Sequence, residues 1–370
     1  MEELRTPEVR VLTAFCLLLR AGLWEKNLED LSAFPMSSDR WENIYTLAKV
    51  HTVTGIVYQG ICRLPDTCLP PEKIMIRWVA KVTAIEQKNE RMNSAIAELF
   101  QLFQQMDCRP VLMKGQGIAR FYESPLLRDC GDIDLYFADR EENEEVLQKL
   151  QRMRIQINRM PDQSTWYQWR GFVVEHHICL LDMHRTDKKE YLKKLERQYG
   201  FSTLALGDEF QTDVSIPSPL MNILLLNLHI LKHTLGRGIG LRQLCDLART
   251  YYHYRHVVDW KELICIYQKI GITRWCDLLH SFLNEYIGLS VDGLRCRYPQ
   301  ENPRILLDKV LLHGNFGCLN SVPASGIGKE WLRKYYTFLC FIRNIRFACR
   351  YAPMEYMAIV GRLIKGDLCR

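Results

Sequence analysis

The 370-residue sequence has no CxxC pair, no fixed-period repeat and no low-complexity tract. Its fourteen cysteines are scattered singly, whereas a disulfide scaffold is a small, loop-heavy secreted domain. Long apolar runs are also missing: Val11–Leu19 stops at Arg20, and Ile223–Leu231 contains Asn227 and His229. Neither run is long enough to cross a bilayer. These absences predict a globular protein of the cytoplasm with reduced thiols and no transmembrane segment.

Hydrophobic spacing divides the chain into three regions. Apolar residues recur every three or four positions through residues 1–105, which predicts an N-terminal helical region. Residues 106–215 alternate short apolar strands with helices, and residues 216–370 return to helical spacing. The predicted fold class is therefore α+β: a small mixed β-sheet core with helical regions on both sides.

Local signals predict where several helices begin and end. Asp139, with Glu142 three residues on, predicts the capped start of a helix in the core region. Breaks in the C-terminal helical region are predicted at Gly236–Gly240, near Gly271, near Gly288 and across Asn315–Gly328.

The positive charge is concentrated at one end. Nine Lys or Arg and three Asp or Glu fall between Lys329 and Arg370, so this C-terminal basic segment alone accounts for the formal net charge of +6. Its aromatic and cationic residues interleave at helical spacing. One interpretation is a terminal helical pair with a solvated cationic face. The others are an anionic partner surface, either a membrane or a nucleic acid, although no RNA-binding motif supports the latter.

Two aspartates in the core region carry the strongest chemical signal. Asp132 and Asp134 alternate with Ile133 and Leu135 in a segment that predicts a strand. Because side chains alternate along a strand, both carboxylates point to one face and the two apolar residues to the core. Such a pair offers hard oxygen ligands suited to Mg²⁺. The alternative is a solvated strand face with charged residues.

The surrounding segments favour phosphate chemistry. Lys114-Gly115-Gln116-Gly117 ends a short apolar strand and opens a helix, so its backbone N–H groups can hold phosphate oxygens. The apolar stretch Gly171–Arg185 predicts one long strand or two short ones, with Asp182 inside a strand and His184 on the same face. Nucleotidyl transfer needs this combination of phosphate cradle, metal-binding carboxylates and a third acid near the acceptor hydroxyl.

These residues resemble a known family. The resemblance is to the bacterial family of uncharacterised nucleotidyltransferases, within the polymerase β-like superfamily. Its motifs are matched by Leu112-Met113-Lys114-Gly115, Tyr122, Pro125, Arg128, Gly131-Asp132-Ile133-Asp134-Leu135 and Asp182-Met183-His184. The last of these matches a family motif of an acid, a variable residue and a histidine. The resemblance extends more loosely to Trp41–His51 and to the region of His229, Arg242 and Asp246.

The resemblance implies roles for individual residues. Asp132 and Asp134 would bind the metals, Mg²⁺ or Mn²⁺, that bridge the phosphates of an NTP such as ATP. Asp182 would complete one metal site and polarise the acceptor hydroxyl, and Gly115 would let the backbone approach the triphosphate. Superfamily members usually have Gly-Ser or Gly-Gly where this chain has Gly115-Gln116, so a hydroxyl contact to phosphate is missing.

Further residues are predicted to contact the nucleotide. The predicted nucleotide-binding set is Lys114, Gly115, Gln116, Arg128, His184, Arg242 and Asp246. Three of these have simpler alternatives: a surface lysine for Lys114, a structural salt bridge for Arg128 and a buried, satisfied histidine for His184.

Two histidine groups suggest other metal sites. His229 and His233 have the spacing of a metal site on a helix, but packing beside the nucleotide is the preferred interpretation. Glu175-His176-His177 resembles a metal cluster, yet only Glu175 and His177 can share a strand face, and we assign no site there.

The predicted function is transfer of a nucleoside monophosphate from an NTP to an acceptor hydroxyl by a two-metal carboxylate mechanism. The acceptor is left open among a sugar, a small molecule, an RNA end and a protein side chain. One alternative is a non-catalytic nucleotide-binding or protein-interaction module that retains the fold. Another is a peripheral membrane protein of cell-surface polysaccharide assembly, acting through its basic segment.

Overall fold

The computed structural model describes residues 8–28, 30–160, 164–205, 213–236, 238–292, 294, 301–313 and 342–364. Its strands form one mixed sheet in the order β3-β4-β5-β2-β1-β7-β6. The strands are β1 (Val111–Met113), β2 (Ile133–Tyr136), β3 (Asn158–Arg159), β4 (Thr165–Trp169), β5 (Phe172–His177), β6 (Phe201–Ala205) and β7 (Asp213–Pro217). Strand β2 pairs parallel to β5 and antiparallel to β1, and β1 pairs parallel to β7. The predicted α+β class with a mixed sheet is confirmed.

Helices precede, interrupt and follow the sheet. Those before it are α1 (Val9–Trp24), α2 (Ser38–Val50), α3 (Thr54–Ile61) and α4 (Glu72–Gln105). Those within it are α5 (Gly115–Ala119), α6 (Arg140–Arg152) and α7 (Lys189–Tyr199). Those after it are α8 (Pro219–Leu235), α9 (Leu241–His253), α10 (Trp260–Ile270), α11 (Thr273–Phe282), α12 (Arg304–His313), α13 (342–351) and α14 (Pro353–Ile364).

Helix α6 begins where its sequence predicts. The Asp139 carboxylate accepts hydrogen bonds from the backbone N–H groups of Glu141, at 2.7 Å, and Glu142, at 3.3 Å. These are two of the donors that the first turn of a helix leaves unsatisfied. The Glu142 carboxylate accepts from the backbone N–H of Arg109.

One face of the sheet packs on the second half of α4. Ile133 and Leu135 are at most 1% exposed and belong to a core cluster with Leu99 and Phe103 of α4. The prediction that these two residues alternate inward between Asp132 and Asp134 is confirmed. Because Ile133 and Leu135 face the core, Asp134 between them points to the opposite face of the sheet.

A second and larger core joins the helices on either side of the sheet in the sequence. It includes Leu18 of α1 and Trp41 of α2 together with Leu224 of α8 and Trp275 of α11. Side chains from the first and last parts of the chain thus shelter one another from water. Arg128, in the segment before β2, forms an ion pair with Asp246 of α9, which links the sheet to this helical body.

One strand prediction is wrong. Strand β5 ends at His177, and residues 178–185 form an irregular segment, so Asp182 does not lie within a strand. Leu180, Leu181 and Met183 of this segment are buried in the larger core. Their apolar character reflects burial under helices, because burial favours apolar residues whether or not the backbone pairs in a sheet.

The helical regions follow the sequence prediction closely. Gly271 and Gly288 end helical segments with φ of +80° and +76°, values that glycine adopts without steric cost. The predicted interruption at Asn315–Gly328 lies outside the described residues. Among the helices that the structure describes, none combines the length and apolar character needed to cross a membrane.

Candidate functional site

The site is built around two parallel strands. Asp134 of β2 stands opposite Glu175 of β5 in the strand register, so their side chains project side by side from one face. Asp134 is 6% exposed, whereas Asp132, immediately before the strand, is open to solvent. A carboxylate from each strand therefore meets at this position.

His177 completes a compact group. Its Nε2 atom lies 2.7 Å from Oδ1 of Asp134 and 3.7 Å from Oε2 of Glu175. One ligand atom from each of Asp134, Glu175 and His177 lies within 4.8 Å of the others. The intervening His176 points to the opposite face, where its Nδ1 lies 2.8 Å from Oδ1 of Asn143. The prediction that only Glu175 and His177 share a side is confirmed.

Lys114 reaches this group from the end of β1. Its Nζ lies 3.2 Å from Oδ2 of Asp134, and its side chain is 16% exposed. The residue has φ of +46°, a left-handed conformation that is rare for residues with a side chain. The turn after β1 therefore directs the ammonium group at the carboxylate, which is not the behaviour of an ordinary surface lysine.

The three carboxylates differ in their electrostatic surroundings. Burial alone would raise the pKa of Asp134, but Lys114 and the hydrogen bond from His177 outweigh burial and hold that pKa well below its ordinary value. Although Asp132 is partly exposed, desolvation of its carboxyl group by the surrounding protein, together with the Asp134 carboxylate, raises the pKa of Asp132. Burial and both aspartates likewise raise the pKa of Glu175. Three carboxylates that repel one another make a place where added positive charge is favourable.

Glu175 and His177 are site residues to which the sequence prediction assigned no role. The motif of an acid, a variable residue and a histidine occurs twice, as Glu175-His176-His177 and as Asp182-Met183-His184. The sequence prediction used the second occurrence. Only the first lies on a strand beside Asp134. The signal that would have found it is the match of the same motif seven residues earlier.

Asp182 and His184 lie outside this compact group. The Asp182 carboxylate accepts a hydrogen bond from Nζ of Lys232 on α8. The backbone N–H of His184 donates to Glu355 of α14 at 2.6 Å, and its ring Nδ1 lies 3.4 Å from Nη1 of Arg362. Burial lowers the pKa of His184 to about 4, so the ring is neutral near pH 7. Asp182 as a metal ligand and His184 as a nucleotide contact stay predictions.

Arg128 and Asp246 bind each other. Nε and Nη2 of Arg128 donate to the two carboxylate oxygens of Asp246 at 2.8 and 2.6 Å, and the Tyr122 hydroxyl donates to the same carboxylate at 2.8 Å. The side chains of Arg128 and Asp246 are each 4% exposed. The structural salt bridge raised as an alternative for Arg128 is present. It ties the segment before β2 to α9, and a nucleotide role for either residue stays a prediction.

The predicted phosphate loop, residues 114–117, spans the end of β1 and the first residues of α5. Gly115 has φ of +46°, and a Cβ atom there would lie 3.5 Å from the carbonyl oxygen of Asp132. The Gln116 side chain points inward: it is 4% exposed, and Nε2 lies 3.4 Å from the backbone oxygen of Asn89 and 3.3 Å from its Oδ1. Gly115 is therefore the half-buried member of the pair, and its positive φ favours glycine at this position beside Asp132.

Two helices supply the remaining polar neighbours. Nη1 of Arg242, on α9, donates to the carbonyl oxygen of Asp129 at 2.7 Å, and the positive charge of Arg242 tends to lower the pKa of Asp132. On α8, burial holds the pKa of His229 well below its ordinary value, with Lys114 and His233 acting in the same direction. The His229 and His233 rings meet edge to face at 4.4 Å. The His229 ring is therefore neutral near pH 7, and it lies within electrostatic reach of Asp134.

Comparison with known proteins identifies the family of this chain. A family model described as uncharacterised nucleotidyltransferase matches residues 37–288, which include the whole sheet. The chain belongs to this family of nucleotidyltransferases. An antigenic nucleotidyltransferase-like protein from Paracoccidioides brasiliensis is similar over 58% of this chain and 98% of that chain, at 12% identity and a TM-score of 0.34. A likeness that weak carries no argument. No curated protein matches the chain.

Proposed function

We propose that this protein transfers a nucleoside monophosphate from an NTP to a hydroxyl group of an acceptor, with the help of divalent metal. The observation that carries the proposal is the register of β2 and β5, in which Asp134 lies beside Glu175. Asp132 lies two residues before Asp134 and is exposed to solvent. Membership of the nucleotidyltransferase family supports it. The relation to the polymerase β-like superfamily is part of the proposal.

The residues present fit a divalent ion. Asp134, Glu175 and His177 each offer one ligand atom within 4.8 Å of the others, and the mutual repulsion of the carboxylates is relieved by positive charge. Mg²⁺ and Mn²⁺ both accept carboxylate oxygens. A bound ion would supply positive charge to the phosphate oxygens of the nucleotide.

The chain's own residues would position the reactants. The Lys114 ammonium group is paired with Asp134. Once a metal ion neutralises that carboxylate, Lys114 could turn its ammonium group towards a triphosphate. Gly115 leaves the backbone open beside Asp132 for a phosphate oxygen. Asp132 is the most accessible carboxylate, so we assign it the position nearest to the incoming nucleotide. The buried ion pair of Arg128 and Asp246 keeps the turn before β2 in place.

We propose Glu175 as the third carboxylate in place of Asp182. Glu175 lies in register with Asp134, whereas Asp182 follows the end of the strand and is held by Lys232. A third acid on the strand parallel to that of Asp134 needs no rearrangement to join the site. Asp182 then positions Lys232 at the edge of the site rather than binding metal.

The proposal extends to the setting of the reaction. We place the enzyme in the cytoplasm and take the acceptor to be a sugar, a small molecule, an RNA end or a protein side chain. We also propose that the three regions 1–105, 106–215 and 216–370 act as one body, since α8 and α9 supply residues around the carboxylates. The non-catalytic alternative shares the nucleotide site and differs only in forming no product.

The test is calorimetric titration of the full chain with each NTP, with and without Mg²⁺ or Mn²⁺. We expect binding that requires metal and is lost in Asp132→Ala/Asp134→Ala. The matched control is Glu141→Ala/Glu145→Ala, which removes two exposed carboxylates of α6 and is expected to leave binding unchanged.

Products are then sought by mass spectrometry, with candidate acceptors supplied as mixtures. Pyrophosphate release with a nucleotidylated product supports the transferase. Metal-dependent nucleotide binding without product supports the non-catalytic module. Equal NTP affinity in the wild type and the double aspartate variant would overturn the site.

A further inference from the structure

The compact group of Asp134, Glu175 and His177, which we propose as the metal-binding group, includes one nitrogen donor. His177 presents Nε2 to both Asp134 and Glu175, at 2.7 and 3.7 Å. Carboxylate and water ligands suit Mg²⁺, Ca²⁺ and Mn²⁺. Imidazole suits first-row transition ions, so Mn²⁺ is the ion of the three that accepts both kinds of ligand. A site of three carboxylates alone would not discriminate in this way. The identity of the third ligand atom therefore bears on which ion the protein selects.

The spacing of the ligand atoms fits direct coordination by the ring. Bonds of roughly 2.1 Å to one ion put neighbouring ligand atoms about 3 to 3.4 Å apart in octahedral or tetrahedral geometry. The two distances from Nε2 bracket that range, at 2.7 and 3.7 Å. Shifts of a few tenths of an ångström would bring both of these pairs to that spacing, and the ligand atoms of all three residues already lie within 4.8 Å of one another.

The two adjacent histidines differ in what they can do. The ring of His176 is fully buried on the other face, with Nδ1 2.8 Å from Asn143 and Nε2 3.1 Å from the Tyr167 hydroxyl. Both of its nitrogens are engaged by protein groups. The side chain of His177 is 25% exposed and that of Glu175 is 39% exposed, so an ion from solvent can reach them. His176 is therefore part of the core, and His177 is the one of the two that an ion can reach.

We propose that His177 binds the metal directly and that the site selects a divalent first-row transition ion, Mn²⁺ in the first place, over Mg²⁺. This inference rests on the proposed function only in using the same site. It assigns His177 a role as a ligand and narrows the pair Mg²⁺ or Mn²⁺ to one class of ion.

The test uses the full chain, freed of metal by a chelator and titrated with Mn²⁺ and Mg²⁺ separately. We expect Mn²⁺ to bind at least about 10-fold more tightly, following the affinity of nitrogen-containing sites for transition ions. His177→Gln should lower Mn²⁺ affinity at least about 10-fold, the smaller end of what loss of a supporting residue costs a metal site. It should change Mg²⁺ affinity much less. The control is His256→Gln, an exposed histidine in the turn after α9.

A spectroscopic measurement tests the nitrogen itself. Pulsed electron paramagnetic resonance of bound Mn²⁺ should show coupling to a directly ligated imidazole nitrogen in the wild type and in His256→Gln, and no such coupling in His177→Gln. Absence of nitrogen coupling in the wild type, or equal Mn²⁺ affinity in wild type and His177→Gln, would overturn the inference.

The two proposals fail in different ways. If Mn²⁺ binds through nitrogen but no NTP binds, the proposed function fails and the ligand assignment stands. If NTP binding needs metal but His177→Gln leaves both ion affinities unchanged, the ligand assignment fails and the proposed function stands.

Discussion

Nε2 of His177 lies 2.7 Å from Oδ1 of Asp134, although the two residues are 43 positions apart in the chain. The contact follows from the parallel pairing of β2 and β5, which sets Asp134 opposite Glu175 and Tyr136 opposite His177. A slip of one residue in this register would turn Glu175 and His177 to the apolar face. The burial of Val174 and His176, the alternate residues of β5, opposes that slip, so the core of the sheet fixes the geometry of the site.

Glu175 and Asp182 occupy the same position in the two acid-variable-histidine motifs, and we expect only the substitution of Glu175 to weaken NTP binding. Glu175→Gln should weaken metal-dependent NTP binding at least about 10-fold, because it removes a carboxylate from the metal-binding group. Asp182→Asn should leave binding within about 2-fold and stability within about 1 kcal/mol, because its pair with Lys232 is half-exposed. Calorimetry and urea unfolding measure both. Loss of binding in Asp182→Asn alone would restore Asp182 as the third acid.

The buried pair of Arg128 and Asp246 predicts a stability effect without a binding effect. Arg128→Met should lower the free energy of unfolding by about 3–5 kcal/mol, since it leaves a buried carboxylate without its cation. Replacing both, as Arg128→Met/Asp246→Leu, should recover much of the loss. Urea unfolding gives the stabilities, and the NTP affinity of the folded variants should stay within about 3-fold. A stable variant that no longer binds NTP would show a nucleotide contact instead.

Local pattern explains how much of the fold was predictable. Alternation of Ile133 and Leu135 with aspartates, the cap at Asp139 and the glycines at 271 and 288 each act over a few residues, and the structure has each of them as predicted. The family membership was predictable because its motifs lie in short runs of sequence. Such signals do not depend on which strand pairs with which.

The site was less predictable because its contacts are long-range. Choosing between Glu175 and Asp182 requires knowing where β5 ends and which strand lies beside β2, and apolar residues continue past His177 for another reason. The partner of Arg128 is 118 residues away on α9, and that of Asp182 is 50 residues away on α8. No local spacing encodes such pairs, so the sequence does not show that Arg128 and Asp182 each form an ion pair with a distant residue.

A buried histidine predicts how stability depends on pH. His51 is fully buried, and in the described part of the chain neither ring nitrogen has a hydrogen-bond partner. Burial lowers its pKa from 6.5 to about 4. Between these values the unfolded chain binds the extra proton, so the free energy of unfolding falls as pH falls through this window, by up to about 3 kcal/mol from this group.

The measurement is urea unfolding at several pH values from 7 down to 4.5. His51→Leu should flatten the dependence relative to the wild type, and His256→Gln, in an exposed turn, should leave it as it is. Other histidines titrate in the same window, so the difference between variant and wild type carries the result. An unchanged slope in His51→Leu would mean that His51 is not held neutral by burial.

The shared helical core predicts that the sheet unit is not stable as an isolated fragment. Leu18 and Trp41 pack in one cluster with Leu224 and Trp275, so regions 1–105 and 216–370 cover each other as well as the sheet unit. A fragment of residues 108–190 would expose apolar surface that other elements now bury. Limited proteolysis should therefore release no stable fragment of that span. A soluble piece of that size with cooperative unfolding would contradict the single-body proposal.

The arginines of the C-terminal basic segment differ in whether they are paired with an acidic residue or exposed to solvent. Arg350 donates to Glu301 at 3.1 Å, and Glu301 is also bound by Arg274. Arg343 and Arg346 are exposed on α13. Lys329, Arg333, Lys334, Lys365 and Arg370 lie outside the described residues.

Arg343→Gln/Arg346→Gln should therefore weaken co-sedimentation with anionic vesicles at low salt, without a change in thermal stability or NTP affinity. Attraction between exposed charges is screened beyond about 10 Å at 0.1 M salt, so wild-type association should also decline steeply as salt is added. Arg350→Gln should instead lower stability by at most about 1 kcal/mol, because the arginine is half-exposed and Glu301 keeps Arg274. If the wild type shows no association at low ionic strength, or an association indifferent to salt, the exposed arginines serve only as a solvated helix face.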